Sequence, residues 1–270
     1  MHRFPLQGAK AMARAGTPAV SAVAALGLLA TGLSAGVVLG ASKPANLKLA
    51  SGARVAVVSL LDAEVTHFHA SRRVQDSYLK TYSVNWPVNG MLMEALREHL
   101  TQLGLTAVAA GTPDSLSRAR ETCLLNATLA KGLPKPCAPL YAQLAAAEHA
   151  DAVIVLGPGL NDSAHGGSTR HRELPDYLRG WCIVSGEGGP DEVPVLLDLT
   201  ELLLIRVSGG TAELVAREWG GVQRQSWTGF KAPADLKAIP DPQLAQLQPL
   251  FAAMLKQQAG VLALHLEITR

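Results

Sequence analysis

The chain has 270 residues, of which 48% are hydrophobic and 17% charged, and its formal net charge is +2. This length and composition can bury one good-sized core, so we expect a single folded domain. Three cations, Arg3, Lys10 and Arg14, precede a long apolar segment, and taking these three charges from +2 leaves −1 on the remainder. The remainder therefore lacks the basic excess on which nucleic-acid binding depends.

Residues 1–42 have the features of an export signal. No charged residue occurs from Ala15 to Ser42, and no acidic residue occurs before Asp62. A basic start followed by an apolar segment of this length is typical of a signal peptide and of an N-terminal signal anchor. The residues around Gly40 fit a cleavage site only in part, so both alternatives stay open. Either one predicts a chain that is periplasmic, or anchored in the inner membrane with its domain outside the cytoplasm.

The sequence after this leader is interpreted as a linker over residues 43–53 and one exported domain over residues 54–270. A lipoprotein would carry a cysteine just after Gly40, where Ala41 and Ser42 stand instead. Lipid attachment by that route is therefore excluded.

Three cysteines, Cys123, Cys137 and Cys182, lie in the part expected outside the cytoplasm, where disulfides form and persist. Cys123 and Cys137 flank the proline-bearing turn 131–136, so a bridge between them would close a local loop. The spacing alone leaves Cys182 open as a partner. No Cys-x-x-Cys pair occurs, which disfavours a zinc ribbon and a thioredoxin-type redox site.

The first predicted elements are two strands. Arg54 to Leu61 is a continuous apolar, β-branched run, which is typical of a strand buried on both faces. Ala63 to Ala70 alternates instead, with Val65, His67 and His69 on one face, and this pattern predicts a short edge strand or an extended loop.

Helices and strands then alternate along the chain. Gly90 to Leu103 has helical spacing of its apolar residues, with Asn89 as the expected N-cap, and Leu105 to Ala110 follows as a strand. The order strand, helix, strand predicts that the first strand and the strand Leu105–Ala110 pair in parallel through a right-handed crossover. Asp114 to Ala130 and Pro139 to His149 are the next predicted helices.

The second half of the domain adds strands, a hairpin and a closing helix. The predicted strands are Ala152–Leu156, Trp181–Ser185, Val193–Val207 and Ala212–Trp219. A glycine turn joins the last two into an expected β-hairpin, a long polar loop is expected over 160–179, and a helix over 242–264. These elements predict an α/β fold, with α+β as the alternative: a mixed sheet with helices packed on it, a late antiparallel hairpin and a C-terminal helix.

Three segments of the sequence resemble a known domain type. They are the opening strand RVAVVSLL, the helix-to-strand run LAAAEHADAVIVLGPG and the late hairpin LLLIRVSGGTAELVAREW. Together they resemble the periplasmic α/β domain of the curli-secretion channel family, of the N-terminal domain of the Tol-Pal propeller protein and of lipoprotein activators of cell-wall synthases. The resemblance implies a non-enzymatic envelope module that binds another protein, and it carries over no site residues.

Two groups of residues are candidates for chemistry. His67 and His69 lie two apart on a predicted strand, so both face the same side and are candidate metal ligands. Asp62 ends the first strand while Asp162 and His165 follow the third, and open α/β sheets bind ligands at the carboxyl ends of their strands. A carboxylate beside a histidine there is a candidate acid-base pair.

The sequence lacks the short motifs of serine hydrolases and of nucleotide-binding proteins. No Gly-x-Ser-x-Gly elbow occurs, and the glycine-rich segments match neither the dinucleotide fingerprint nor the P-loop. We therefore expect no nucleotide and no other cofactor. The sequence favours an accessory protein of the periplasm or membrane that acts by protein–protein binding in the cell envelope. The alternative is an exported hydrolase or metal-dependent enzyme with its site at the carboxyl ends of the early strands.

Overall fold

A computed structural model describes residues 46–71, 73–159, 178–186, 193–220, 223–233, 235 and 237–269. The predicted leader, residues 1–42, lies outside these ranges, as do Asp162 and His165 of the candidate acid-base group. Within the described residues, no helix has both the length and the apolar character needed to cross a membrane.

The described residues form strands and helices in alternation, with a short 3-10 turn at Val74–Asp76. The strands are β1 (Leu47–Ala50), β2 (Arg54–Ser59), β3 (Glu64–Ala70), β4 (Tyr78–Ser83), β5 (Thr106–Ala109), β6 (Ala152–Pro158), β7 (Gly180–Gly186), β8 (Val195–Ser208), β9 (Thr211–Trp219), β10 (Gln223–Ser226) and β11 (Leu266–Thr269). The helices are α1 (Val88–Gln102), α2 (Asp114–Leu125), α3 (Ala138–Ala147), α4 (Asp241–Ala245) and α5 (Gln248–Ala263).

The strands build a mixed sheet around the long strand β8. The order is β4-β3-β7-β8-β6-β2-β5, with β9 and β10 also paired to β8. Strand β6 pairs with the second half of β8 and β7 with its first half, so β6 and β7 follow one another along the same edge of β8. Strands β9 and β10 do the same along its other edge. The predicted α/β class and mixed sheet are confirmed.

The early strands and the late hairpin pair as the sequence predicted. Strand β2 lies parallel to both β5 and β6, with Val55 opposite Ala107 and Ala152. Strands β8 and β9 form the antiparallel hairpin, whose turn contains Gly209 and Gly210 at φ 57° and 77°. This left-handed backbone favours glycine, which has no Cβ to clash.

Helices cover both faces of the sheet. On one face α1 and α5 bury Leu92, Leu96 and Phe251 together with Trp181. On the other face α2 and α3 bury a second cluster that includes Tyr141. Strand β2 contributes alternate residues to the two clusters, which is why its sequence is a continuous apolar run.

Four of the expected local features are wrong in detail. The expected linker contains β1, which pairs in parallel with β11 and buries Leu47 and Leu49. Helix α1 begins at Val88, and Asn89 is not its N-cap: the Asn89 Oδ1 accepts a hydrogen bond of 2.7 Å from the backbone N–H of Ser59 on β2. A tertiary contact therefore replaces the expected capping contact.

The other two differences concern β3 and the C-terminal helix. Strand β3 is not an edge strand, because β4 pairs with it on one side and β7 on the other. The C-terminal helix is divided into α4 and α5, with Pro249 in the first turn of α5. Proline lacks the N–H that a continuous helix would need there, and it is tolerated in a first turn.

Candidate functional site

A cleft of about 250 Å³ opens where the two halves of the sheet diverge from β8. Its polar lining comes from the end of β2, from β3 and β4, from α2 and from the residue before β7. These side chains are Asp62, Glu64, Thr66, Thr81, Arg120, Glu121 and Arg179. The cleft thus lies at the carboxyl end of β2, as expected for an open α/β sheet.

Asp62 is held in an ion pair inside this cleft. The Arg120 Nη1 lies 2.6 Å from Asp62 Oδ2 and 2.7 Å from Oδ1. The hydrogen bond to Asp62 raises the pKa of the Arg120 guanidinium above its ordinary value. Both side chains are partly exposed, so such a pair contributes at most about 1 kcal/mol to stability. Asp62 therefore has a partner already and is not poised as a free base.

The second arginine of the cleft, Arg179, has weaker contacts than Arg120. The Arg179 Nη1 lies 3.7 Å from Glu121, and this is a long contact between partly exposed groups. Its Nε is buried and has no hydrogen-bond partner in the described part of the chain. Arginine presents its donors as a planar fork that matches a carboxylate. An anionic group that enters the cleft could therefore reach only the Nη donors of Arg179, and it would do so beside Asp62, Glu64 and Glu121.

His67 and His69 lie on the other face of β3, away from the cleft. Both are buried, whereas the cleft is lined by Glu64 and Thr66 from the alternate positions of the same strand. The shared face of the two histidines agrees with the alternation of the sequence. It also means that Asp62 and the two histidines do not meet in one site.

A serine joins the two imidazoles. The Ser185 Oγ on β7 lies 2.8 Å from His67 Nε2 and 2.9 Å from His69 Nδ1. The Tyr78 hydroxyl lies 3.5 Å from His67 Nδ1, and the Tyr78 ring stacks on that of His69 at 5.1 Å between centroids. We call these four residues the histidine cluster. It is a connected network of polar groups on a mostly apolar face.

Among the described residues, the histidine cluster has only two side chains of the kinds that bind metals, His67 and His69. The point where the two imidazoles converge is occupied by a serine hydroxyl. Across the described residues, no three His, Cys, Asp or Glu side chains come together as a metal centre would require. The metal hypothesis for His67 and His69 therefore finds no third ligand among the described residues.

Burial shifts two pKa values in the histidine cluster. It lowers the pKa of His67 to about 4, with smaller contributions from His69 and Lys80, so His67 is neutral near pH 7. It raises the pKa of Tyr78 to about 12, with Tyr82 and Asp235 adding to the effect, so Tyr78 keeps its proton. Both groups are available as neutral hydrogen-bonding partners.

Charged residues are also buried within β8. The Asp198 side chain is fully buried; its Oδ1 accepts a 3.0 Å hydrogen bond from the Thr200 N–H, while its Oδ2 has no partner within the described ranges. Burial raises the pKa of Asp198 to about 6. Glu201, also fully buried, is paired with Arg217. Buried groups with such shifts often mark functional sites, although structural networks produce them too.

Asp198 and His67 should give opposite pH dependences of stability. Folded Asp198 holds its proton up to about pH 6 while the unfolded carboxyl ionises near 3.8, so its contribution is lost as the pH rises through 6. Folded His67 stays neutral down to about pH 4 while the unfolded imidazole titrates near 6.5, so stability is lost as the pH falls. Each effect is about 3 kcal/mol. In urea titrations, we expect the free energy of unfolding of Asp198→Asn, relative to that of wild type, to be higher at pH 7 than at pH 4. We expect the reverse for His67→Gln.

The comparison between the two pH values is the control for this prediction. A lost or added hydrogen bond in either variant shifts the free energy of unfolding equally at both pH values, whereas proton linkage does not. Asp241, an exposed acid at the start of α4, provides the matched variant Asp241→Asn. That variant removes an exposed carboxylate and leaves the buried Asp198 in place. Parallel profiles for Asp198→Asn and wild type would contradict the buried-acid assignment.

Sequence reasoning missed several of these groups. Ser185 and Tyr78 carry no local signal, because each meets the histidines only through strand pairing. Arg120 and Arg179 likewise meet Asp62 and Glu121 only in the folded chain. Asp198 was detectable, since an acid inside a long apolar run indicates a buried charge.

Two of the three cysteines are paired and the third is free. Cys123 and Cys137 form a disulfide with 5.4 Å between their Cα atoms, which is the local pairing, and Cys182 is free and buried. Burial, with the nearby charge of Asp198, raises the pKa of the Cys182 thiol to about 12. A thiol of that kind is unreactive near pH 7.

No protein-family model and no curated protein matches this chain. Among solved structures, it is similar to the hypothetical protein CT253 from Chlamydia trachomatis, at 10% identity over 77% of this chain and 98% of that one, with a TM-score of 0.34. It is also similar to a PelC dodecamer from Paraburkholderia phytofirmans, at 14% identity over 83% of this chain and 95% of that one, with a TM-score of 0.30. TM-scores this low support no argument about function.

Proposed function

We propose that this chain is an exported accessory protein of the cell envelope that acts by binding another protein along strand β4. The observation that carries the proposal is the open edge of the sheet at β4. Among the described strands, β4 pairs with β3 alone, and its Leu79 side chain is 46% exposed. An open edge with an exposed apolar side chain is the surface to which an extended partner segment adds as a further strand.

The backbone of β4 has donors and acceptors available for such a segment. The Val84 N–H, just after β4, donates to the Ala63 carbonyl oxygen beside β3 at 2.8 Å. Backbone groups alternate in direction along a strand, so the N–H and C=O groups of Leu79, Thr81 and Ser83 point away from β3. A partner strand would form its ladder with these three residues.

The cleft beside β4 indicates the chemistry of the partner. Leu79 and Thr81 line the cleft together with Arg179, so a side chain of the added segment that enters the cleft would approach this guanidinium. A carboxylate on that segment would bind the Arg179 fork. The proposed partner is therefore an extended segment that carries an acidic side chain.

Export is the second part of the proposal, and two features support it. The Cys123–Cys137 disulfide is stable in oxidising compartments and rare in the cytosol. The predicted leader, as signal peptide or inner-membrane anchor, would deliver the domain to such a compartment. The resemblance to the curli-channel, Tol-Pal and synthase-activator domains leads to the same expectation of a periplasmic binding module.

Thr81→Pro tests the binding mode directly. Proline removes the outward N–H of residue 81 while the β4–β3 hydrogen bonds stay, and proline is accepted on an edge whose N–H faces outward. A photo-crosslinking amino acid at position 79, in cells that make the protein, should capture one discrete envelope protein. We expect Thr81→Pro to lower the yield of this crosslink at least about tenfold, since each 1.4 kcal/mol of lost binding free energy is a factor of ten in affinity.

The opposite edge of the sheet provides the matched control. The Thr106 and Ala110 N–H groups donate to β2, so the groups of Ala107 point outward from β5. Ala107→Pro should leave the crosslink at position 79 unchanged. An equal loss with both prolines, or crosslinking unaffected by Thr81→Pro, would reject strand addition at β4.

A further inference from the structure

The C-terminal end of α5 exposes two apolar side chains. Val261 is 47% exposed, and Leu264, the residue that follows the helix, is 75% exposed, more than any other large apolar side chain in the described ranges. The two are three positions apart, so they share one face of the helix. The core-facing side of α5 buries Phe251, Leu255 and Leu262 instead. This end of α5 thus has a second, smaller apolar surface, which we call the α5 patch.

The α5 patch lies where the chain enters the described domain. The Leu47 N–H at the start of β1 donates to the carbonyl oxygen of His265 at 2.7 Å, and His265 directly follows Leu264. The strand register continues this contact, with Leu47 opposite Leu266 on β11. The residues that precede Leu47 are therefore attached to the domain beside the α5 patch.

The sequence before β1 indicates what covers the α5 patch. The uncharged segment of the predicted leader continues to Ser42, and only residues 43–46 separate it from Leu47. The chain between Ser42 and Leu47 can span at most about 18 Å when fully extended. A leader retained as an anchor would therefore tether Leu47 within that distance of the membrane surface.

The charges beside the α5 patch favour an apolar contact over an electrostatic one. Lys48 stands opposite Glu267 in the β1–β11 register, so this cation is offset by an acid. The patch does not have the cluster of basic residues that attracts anionic lipid headgroups. Even a myristoyl chain binds membranes only marginally by itself, so two apolar side chains need the tether as a second signal.

We propose that the α5 patch contacts the bilayer that holds the leader, with Val261 and Leu264 inserted at the boundary between headgroups and acyl chains. The tether raises the effective concentration of the patch at the membrane, and burial of the two side chains sets which side of the domain faces the lipid. The inference rests on the export part of the proposed function and selects the anchor over the cleaved signal peptide. It does not depend on strand addition at β4.

A fluorophore at position 264 tests the contact on the full chain, leader included, in lipid nanodiscs that hold one chain each. Leu264→Cys supplies the labelling site, because Cys182 is buried and Cys123 and Cys137 are bonded to each other. The discs contain phosphatidylcholine with or without a nitroxide on its acyl chains. We expect the nitroxide to remove most of the fluorescence, equally in low and high salt. Leu129→Cys, at an exposed leucine between α2 and α3, is the matched control and should keep its fluorescence.

A second reporter leaves both apolar side chains in place. Gln257 is exposed one helical turn before Val261, so a label on Gln257→Cys should be quenched less than one at position 264. Adding Val261→Asp and Leu264→Asp to this chain should abolish the quenching, because charged side chains oppose insertion. Quenching that persists in this variant would show that the α5 patch does not cause the contact.

The outcomes separate this inference from the proposed function. An unquenched label at position 264 in an anchored chain would reject the α5 patch and leave export standing. A chain made in cells whose intact mass lacks the leader, and which is released from membranes, would reject the anchor and with it the tether. Equal quenching at positions 264 and 129 would show that the domain has no fixed side toward the bilayer. Strand addition at β4 plays no part, because the discs contain no other envelope protein.

Discussion

Replacing Arg217 with Met should lower the free energy of unfolding by about 3–5 kcal/mol. The Arg217 Nε donates to Glu201 Oε2 at 3.0 Å, and its Nη1 donates to the Ala127 carbonyl oxygen at 2.6 Å. Glu201 is fully buried and Arg217 nearly so. The substitution would leave the Glu201 charge in the core without its partner. Urea denaturation at pH 7 measures the loss.

An exposed ion pair in the same hairpin is the matched control. Arg206 on β8 pairs with Glu213 on β9, and both side chains are more than half exposed. Arg206→Met should therefore cost less than about 1 kcal/mol. Adding Glu201→Gln to Arg217→Met should restore part of the stability, because no buried charge remains. Equal losses for the two arginine substitutions would show that burial does not govern the Arg217 contact.

Removing the disulfide should cost about 3 kcal/mol, the chain-entropy value for a loop of about 15 residues. Cys123 and Cys137 are 14 positions apart, and both lie in the core cluster beneath α2 and α3. We expect the double variant Cys123→Ala, Cys137→Ala to unfold at a clearly lower urea concentration than wild type.

Reduction provides an independent check on the same bond. Dithiothreitol should lower the urea midpoint of wild type and leave that of the double variant unchanged. Cys182→Ala should respond to dithiothreitol as wild type does, because Cys182 is free. A wild-type midpoint that does not depend on reductant would contradict the prediction.

Much of the fold could be predicted because its signals are local. The run from Val55 to Val58 is apolar throughout since β2 is buried on both faces, and the alternation around His67 follows from a strand whose two faces differ. The β8–β9 turn was detectable from its two glycines. Strands β1, β4, β10 and β11 were missed, because short polar or mixed segments become strands only through their neighbours.

The candidate sites could be predicted only in part, for the same reason. The position of Asp62 after a buried strand did locate the cleft, and the spacing of His67 and His69 did indicate a shared face. The partners of these residues were not detectable: Arg120 is 58 positions from Asp62 in the chain. The expected edge position of the histidines was wrong because β4 and β7 cover both sides of β3.

The amino-acid sequence by itself determined what depends on neighbours along the chain: the class of fold, the periodicity of each buried face, the glycine turn and the face shared by the two histidines. Only the tertiary structure decided which strands lie side by side. Ser185 contacts His67 and His69 from 118 and 116 positions away in the chain. Arg217 on β9 contacts Glu201 on β8 because the two strands pair in the hairpin. These pairings depend on the packing of the whole sheet, whose free energy is shared among many distant residues, so no local pattern records them.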